Sequence, residues 1–216
     1  MKENSRILWD ETGLEAAVAE ERPILMIDIL RATTTIVTAF AMGATAVSVV
    51  DEDLDTGEGM IRIGEKEGIK LEGFDYDNSP STISSIDLSG KEVLLKTTNF
   101  SKAYVKAKRT RVYAGSFLNL SACIKLVSST DSLEIYPCRR RGRIALEDLF
   151  AALIIVSGEV PAVDVLFELV EGGASAKNLI SLGKEDDIEF ACRIDQFDIL
   201  PVSEPGGSCF RLGSVG

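Results

Sequence analysis

Histidine is absent from the 216 residues, which removes imidazole triads, imidazole metal ligands, phosphohistidine intermediates and imidazole acid–base catalysis. Chemistry here must run on carboxylates, hydroxyls, amides, arginine, lysine, thiols or a bound metal. Cysteine is scarce as well. Cys123, Cys138, Cys192 and Cys209 are widely spaced, with no Cys-x-x-Cys pair, which argues against a zinc site or a disulfide framework and for reduced, buried thiols. No apolar run approaches the roughly 20 residues of a membrane span. The opening Met1–Arg6 also lacks the apolar segment of a secretory leader, so a cytoplasmic protein with no membrane partner is expected. Positive charge is in the minority, 23 Lys and Arg against 34 Asp and Glu, for a formal net charge of -11. That balance disfavours a nucleic-acid partner, which needs a basic footprint.

What remains is ordinary globular material, 45% hydrophobic and 26% charged. The length suits one domain over 1–216 with a single large core. The stretch Ile24-Leu25-Met26-Ile27-Asp28 reads as a strand buried on both faces and ending in a carboxylate. Thr33-Thr34-Thr35 then offers hydroxyl caps to a helix carrying Ile36, Val37 and Phe40 and stopped by Gly43. A helix start leaves backbone N–H groups free and favours an anion. Arg31 adds a planar fork for the same anion, and Asp28 beside a phosphate makes chemical sense with a cation between them. The plainer alternative is that Asp28 and the threonines only cap the helix and that Arg31 pairs with Asp28.

The remaining pattern alternates strands and helices, as in an α/β fold. Strands are expected at 45–50, 60–63, 91–96, 111–115, 132–138 and 199–202, and helices at 12–21, 101–108, 116–127, 146–156, 161–171 and 174–182. The first strand, its helix and the strand at 45–50 suggest a right-handed parallel crossover. Residues 51–59 read as an acidic surface loop, Gly64–Gly68 as a charged turn, 73–80 as a loop, and the chain beyond Gly206 as a tail. Glu65 is a second candidate ligand or a solvated turn residue. Thr97, Thr98 and Asn99 repeat the hydroxyl-rich strand end, or simply cap the next helix. Glu147 and Asp148 sit in a helical first turn, where the dipole favours acids. Arg139-Arg140-Arg141-Gly142-Arg143 is the one basic cluster, a substrate contact or a solvated loop.

Taken together, Asp28-Ile29-Leu30-Arg31-Ala32-Thr33-Thr34-Thr35, Gly64-Glu65-Lys66, Gly73 to Pro80, Thr97-Thr98-Asn99 and Gly115 to Asn119 resemble the 2-phosphosulfolactate phosphatase family. Glu147-Asp148 and Leu182 to Cys192 extend the resemblance over nearly the whole chain. It implies a three-layer α/β/α sandwich with a largely parallel or mixed central sheet. It also implies a Mg2+-dependent phosphatase that converts 2-phosphosulfolactate to sulfolactate and phosphate on the route to coenzyme M.

The site is then expected to use Asp28, Arg31, Glu65 and Asn99 in catalysis. Thr33, Thr34, Asn78, Ser79, Thr98 and Asn119 would contact substrate, and Asp28, Glu65 and Asp148 would hold Mg2+. The partner is a small anionic phosphorylated acid, with homo-oligomers open. A relative that has lost catalysis and binds an anionic metabolite in a regulatory or assembly role is the alternative. The family's pattern usually has Arg at Lys66, Gly-Thr at Phe100-Ser101 and small Gly-rich residues over Pro137–Arg143. A Phe beside Asn99 is expected to narrow the backbone approach to a phosphate.

Overall fold

The computed structural model describes residues 5–51 and 59–213. The chain opens with β1 (Arg6–Ile7), α1 (Glu11–Ala19), β2 (Ile24–Ile27), α2 (Ala32–Ala41) and β3 (Ala46–Val49). The acidic loop expected over 51–59 lies largely outside the described residues. Next come β4 (Ile61–Lys66), β5 (Ile69–Lys70), α3 (Pro80–Ile83), β6 (Glu92–Lys96), α4 (Phe100–Ala107) and β7 (Val112–Gly115). A 3-10 turn (Phe117–Asn119) leads into α5 (Leu120–Ser129), β8 (Glu134–Pro137), β9 (Arg139–Arg140) and β10 (Arg143–Ile144). The last part holds α6 (Leu146–Ser157), α7 (Val163–Glu171), α8 (Ala174–Ser181), α9 (Glu185–Ala191), β11 (Pro201–Ser203) and β12 (Cys209–Leu212).

The main sheet has the order β1-β8-β2-β7-β11-β12-β3-β6-β4-β5. β1, β8, β2 and β7 are parallel to one another, as are β3, β6 and β4. β11 and β12 join the two groups through antiparallel pairings. Helices cover both faces. Along β2, Ile24 and Met26 enter one core with Ile36, Phe40 and Tyr104, while Leu25 and Ile27 enter a second with Phe117, Leu120 and Ala151. Burying each such side chain contributes roughly 1.5–3 kcal/mol, so a continuous apolar strand between two helical layers is the stable placement for Ile24–Ile27. The result is the expected α/β sandwich with a mixed, largely parallel sheet.

Two expectations about connectivity are corrected. β3 does not extend the parallel group of β2, because both edges of β2 are taken by β7 and β8. The chain crosses instead to the second group, with α2 packed over β7, β11 and β3. The region past Gly206 is not merely a tail, since β12 pairs Phe210 with Val47 and Val202 with Arg211.

The antiparallel joint makes the two groups run in opposite senses from one neighbour to the next. A twist of about 20–25° per strand, summed over the steps from β2 to β6, turns the second group by roughly 100–125°. That rotation swings its C-terminal ends back toward those of the first. One cleft is accordingly lined from the ends of β2, β4, β6 and β8.

Candidate active site

Asp28 follows the last residue of β2 and closes a tight cap on α2. Its Oδ1 accepts the N–H of Ala32 at 3.1 Å, and its carbonyl accepts the N–H and the hydroxyl of Thr33 at 3.0 and 2.9 Å. The Asp28 N–H donates back to Thr33 Oγ1 at 2.9 Å. The helix therefore begins at Ala32, with all three threonines inside it. Thr34 donates to the carbonyl of Ile29 at 2.8 Å. Thr33 and Thr34, expected as substrate contacts, are thus engaged with backbone, and the positive end of α2 is directed at Asp28 itself.

Asp148 comes to the same corner from the first turn of α6. Its Oδ1 accepts the N–H of Ile29 at 2.7 Å, stitching the start of α6 to the end of β2. Asp148 is buried and Asp28 half-buried, and both resist ionisation. Burial pushes Asp28 up to about 7; the Ala32 N–H opposes this, Glu65 and Glu147 add to it, and Arg31 opposes it. Asp148 is held well above the usual carboxylate range by burial, then by Asp28 and Glu147, against the Ile29 N–H. Glu147 is itself 1% exposed, and its Oε2 has no hydrogen-bond partner. The adjoining Cys138 thiol is pushed well up by burial and by Asp28 and Asp148, so it is protonated and a poor nucleophile.

Crowded, buried carboxylates that cannot all ionise are the setting a cation relieves. Among the described residues, no three His, Cys, Asp or Glu side chains are grouped to enclose an ion. Mg2+ seldom needs that, because it typically takes one or two carboxylates and completes its shell with water and substrate phosphate. Asp28 and Asp148 fit this donor set. Glu65 fits it less well than expected. Its Oε1 accepts the Thr98 N–H at 2.6 Å, and its Oε2 accepts the Gly68 N–H at 2.6 Å and the Thr98 hydroxyl at 3.1 Å. It lies within β4 rather than in a turn, and it ties the β4–β5 hairpin to the end of β6.

Arg31 lines the cleft yet is only 4% exposed. Its partner is not Asp28: Nη1 lies 2.7 Å from Asp187 Oδ2 and 3.5 Å from Asp77, while Nη2 reaches the Gly68 carbonyl at 3.5 Å. The Leu30–Arg31 peptide that carries it is cis. Asn78 also lines the cleft, and its buried Oδ1 has no hydrogen-bond partner. Thr98 and Asn99 line the opposite side, the Asn99 side chain making no capping bond to α4.

Two expected contacts stand away from the cleft. Ser79 caps α3 and donates to Asp187 at 2.7 Å. Asn119 is fully buried, its Oδ1 accepting from Ser116 and its amide donating to the carbonyls of Ala114 and Ile199 at 3.2 and 3.0 Å. Asn119 therefore braces the loop after β7. Phe100 does not narrow the cleft, for its ring is buried against Tyr104 and Phe210 in the core.

Facing the acids is a basic wall. Arg139, Arg140 and Arg141 line the cleft from the β9–β10 hairpin, which replaces the expected plain loop. Arg139 donates to the carbonyls of Trp9 and Gly142, and Arg140 donates to the carbonyl of Ala174 at 2.6 Å. Neutral carbonyls hold these two guanidinium groups without cancelling their charge. Arg141 pairs with Glu67 across the mouth at 2.5 Å. Sequence reasoning missed Asp187, which holds Arg31 from outside the cleft, and the α8 residues Ser175 and Asn178, which complete the lining. Asp187 ends the acidic run Glu185-Asp186-Asp187 in the first turn of α9, where helix-dipole preference alone accounts for acids.

The family model described as 2-phosphosulpholactate phosphatase matches residues 11–206. A relative from Thermotoga maritima, named "Probable 2-phosphosulfolactate phosphatase", is 37% identical over 84% of this chain and 89% of its own length. One of the same name from Thermoplasma acidophilum is 36% identical over 82% and 84%. The Methanocaldococcus jannaschii protein named 2-phosphosulfolactate phosphatase is 29% identical over 82% and 87%. With a family model covering most of its length and relatives above 30% identity across more than four-fifths of it, the chain belongs to the 2-phosphosulfolactate phosphatase family.

Proposed function

We propose that this protein is a cytoplasmic, Mg2+-dependent phosphatase that hydrolyses 2-phosphosulfolactate to sulfolactate and phosphate, a step toward coenzyme M. The observation that carries the reading is the pairing, in one cleft, of the half-buried Asp28 and the buried Asp148, at a strand end and a helix start, with a wall of three arginines. The substrate's phosphate, carboxylate and sulfonate match that division, a phosphate over the acid corner and the other two anions toward the arginines.

Asp28 and Asp148 would hold Mg2+, which when bound neutralises phosphate charge and orients water. Arg31 has its Nη1 fixed from behind and meets only a 3.5 Å contact at Nη2, so it keeps donors for a phosphoryl oxygen as charge develops there. Asn78 and Asn99 supply amides on either side, and the free Asn78 Oδ1 suits a substrate or water donor. Hydrolysis moves one proton from the attacking water toward the leaving oxygen, and a carboxylate of the cleft would act as the base that carries it. Arg139 and Arg140 draw an anionic substrate to a protein of net charge -11.

The test is phosphate release from 2-phosphosulfolactate, 2-phospholactate and p-nitrophenyl phosphate, with Mg2+ and after EDTA. The expected result is EDTA-sensitive turnover with the highest kcat/KM for 2-phosphosulfolactate. A folded protein that releases no phosphate from any of the three contradicts the reading and favours the regulatory relative.

A further inference from the structure

Behind Arg31, on the side away from the cleft, lies a carboxylate that no part of the proposed chemistry uses. Asp187 is fully buried and does not line the cleft. Its two oxygens divide their work. Oδ2 takes the Arg31 Nη1 at 2.7 Å, while Oδ1 accepts the hydroxyls of Ser79 and Ser81 at 2.7 and 2.6 Å and the Ser81 N–H at 3.2 Å. A carboxylate with three donors on one oxygen cannot rotate freely, so its other oxygen is a fixed point for the guanidinium. The second acid nearby is drawn off by another cation, since Asp77 Oδ2 stands 2.9 Å from Lys184 Nζ and only 3.5 Å from Arg31. Asp187 is thus the close partner of Arg31, contributed from 156 positions further along the chain.

We infer that Asp187 is the positioning residue for Arg31: anchored by Ser79 and Ser81, it sets the direction in which the guanidinium presents its remaining donors to a phosphoryl group. The inference rests on the phosphatase reading and deepens it. Arg31 touches substrate in that reading and Asp187 acts only through it. A planar fork pinned at one nitrogen has its other donors aimed in advance, and geometry of that kind matters most where charge develops during reaction. Loss of Asp187 therefore acts on turnover more than on ground-state binding.

The experiment compares wild type, Asp187→Asn, Arg31→Lys and the double variant by steady-state kinetics on p-nitrophenyl phosphate with Mg2+, with Tm recorded for each. Asp187→Asn is expected to lower kcat at least tenfold while KM changes less than threefold. The double variant should be no slower than the slower single variant, because both changes remove one aligned group. A folded Asp187→Asn with wild-type kcat overturns the inference, as does a double variant whose loss is the product of the single losses. If Asp187→Asn does not fold, Ser79→Ala with Ser81→Ala frees Oδ1 while keeping the charge pair. A folded protein of that kind with unchanged kcat is equally contrary, and a fall in kcat supports the role. Calorimetric binding of inorganic phosphate separates this inference from the activity it rests on. Wild type that binds phosphate but hydrolyses nothing contradicts the phosphatase reading. In that case tenfold weaker binding of orthovanadate, which takes the geometry of a phosphoryl group in its transition state, by Asp187→Asn still supports the positioning role, and equal vanadate affinity overturns it.

Discussion

Asp28 and Asp148 are locked into one corner by consecutive stretches of the same loop: Asp28 Oδ1 holds the Ala32 N–H at 3.1 Å, and Asp148 Oδ1 holds the N–H of Ile29, the residue beside Asp28, at 2.7 Å. The backbone thus brings two acids together in a corner that strips them of water, and the cost of that burial, with neighbouring carboxylates adding to it, appears in their raised pKa values.

That cost has a pH signature. An unfolded Asp titrates at about 3.9, whereas native Asp28 does so at about 7. Between these values the native state keeps a proton that the unfolded state has released, so stability falls as pH rises through this window and levels off above it. In EDTA, Asp28→Asn should be more stable than wild type at pH 8, by on the order of a few kcal/mol, with the gap closing toward pH 4. Thermal melts across pH check this. Parallel curves for the two proteins would mean that Asp28 is not strained in the native state.

Arg31→Lys should lower kcat by about 10²-fold, the scale seen when one donor to developing charge is removed, and should lower Tm as well, because an ammonium cannot hold the buried Asp187 oxygen and present further donors together. A lowered Tm with unchanged kcat and KM would make Arg31 a purely structural ion-pair partner.

Much of the framework was legible. Runs such as Ile24–Ile27 and Val93–Leu95 are apolar on both faces, which only a two-sided sheet satisfies, and Asp28 and Asp148 were readable as a strand-end acid and a first-turn acid. What escaped depends on non-local pairing. Short β12 carries the exposed Arg211 and Leu212 and gains its identity only from β3 and β11. Asn119 and Asn99 look alike as polar residues at helix starts, yet one is consumed by backbone carbonyls and the other faces the cleft. The partner of Arg31 could not be chosen locally, since Asp28 and Asp187 are both acids and only the fold brings the distant one closer.

Gly173 is a test of how tightly the acid corner is packed from behind. A Cβ there would stand 2.6 Å from Glu147 Oε2 and 3.0 Å from the Val170 carbonyl. Gly173→Ala should therefore cost about 1–3 kcal/mol in urea unfolding, and adding Glu147→Ala should recover part of the loss. Strictly additive losses would show that the two residues do not press on each other.

The arginine wall makes a prediction about salt. Changing Arg139 and Arg140 to Gln should reduce kcat/KM for 2-phosphosulfolactate. If the two arginines act by steering, the defect is large at 0.01 M salt, where the Debye length is about 30 Å, and shrinks near 0.15 M, where it is about 8 Å. A direct contact retains most of the defect at both. Efficiency equal to wild type at both salt concentrations would remove the hairpin from substrate handling.

The central claim is that the corner formed by Asp28 and Asp148 is the seat of metal-dependent phosphate ester hydrolysis. The most direct measurement is kcat for phosphate release from 2-phosphosulfolactate at saturating Mg2+, made on wild type and on Asp28→Asn proteins verified as folded. A loss of about 10²–10³-fold, comparable to removing one group that stabilises the transition state, is the predicted result. Turnover at the wild-type rate with the same Mg2+ dependence would contradict the account.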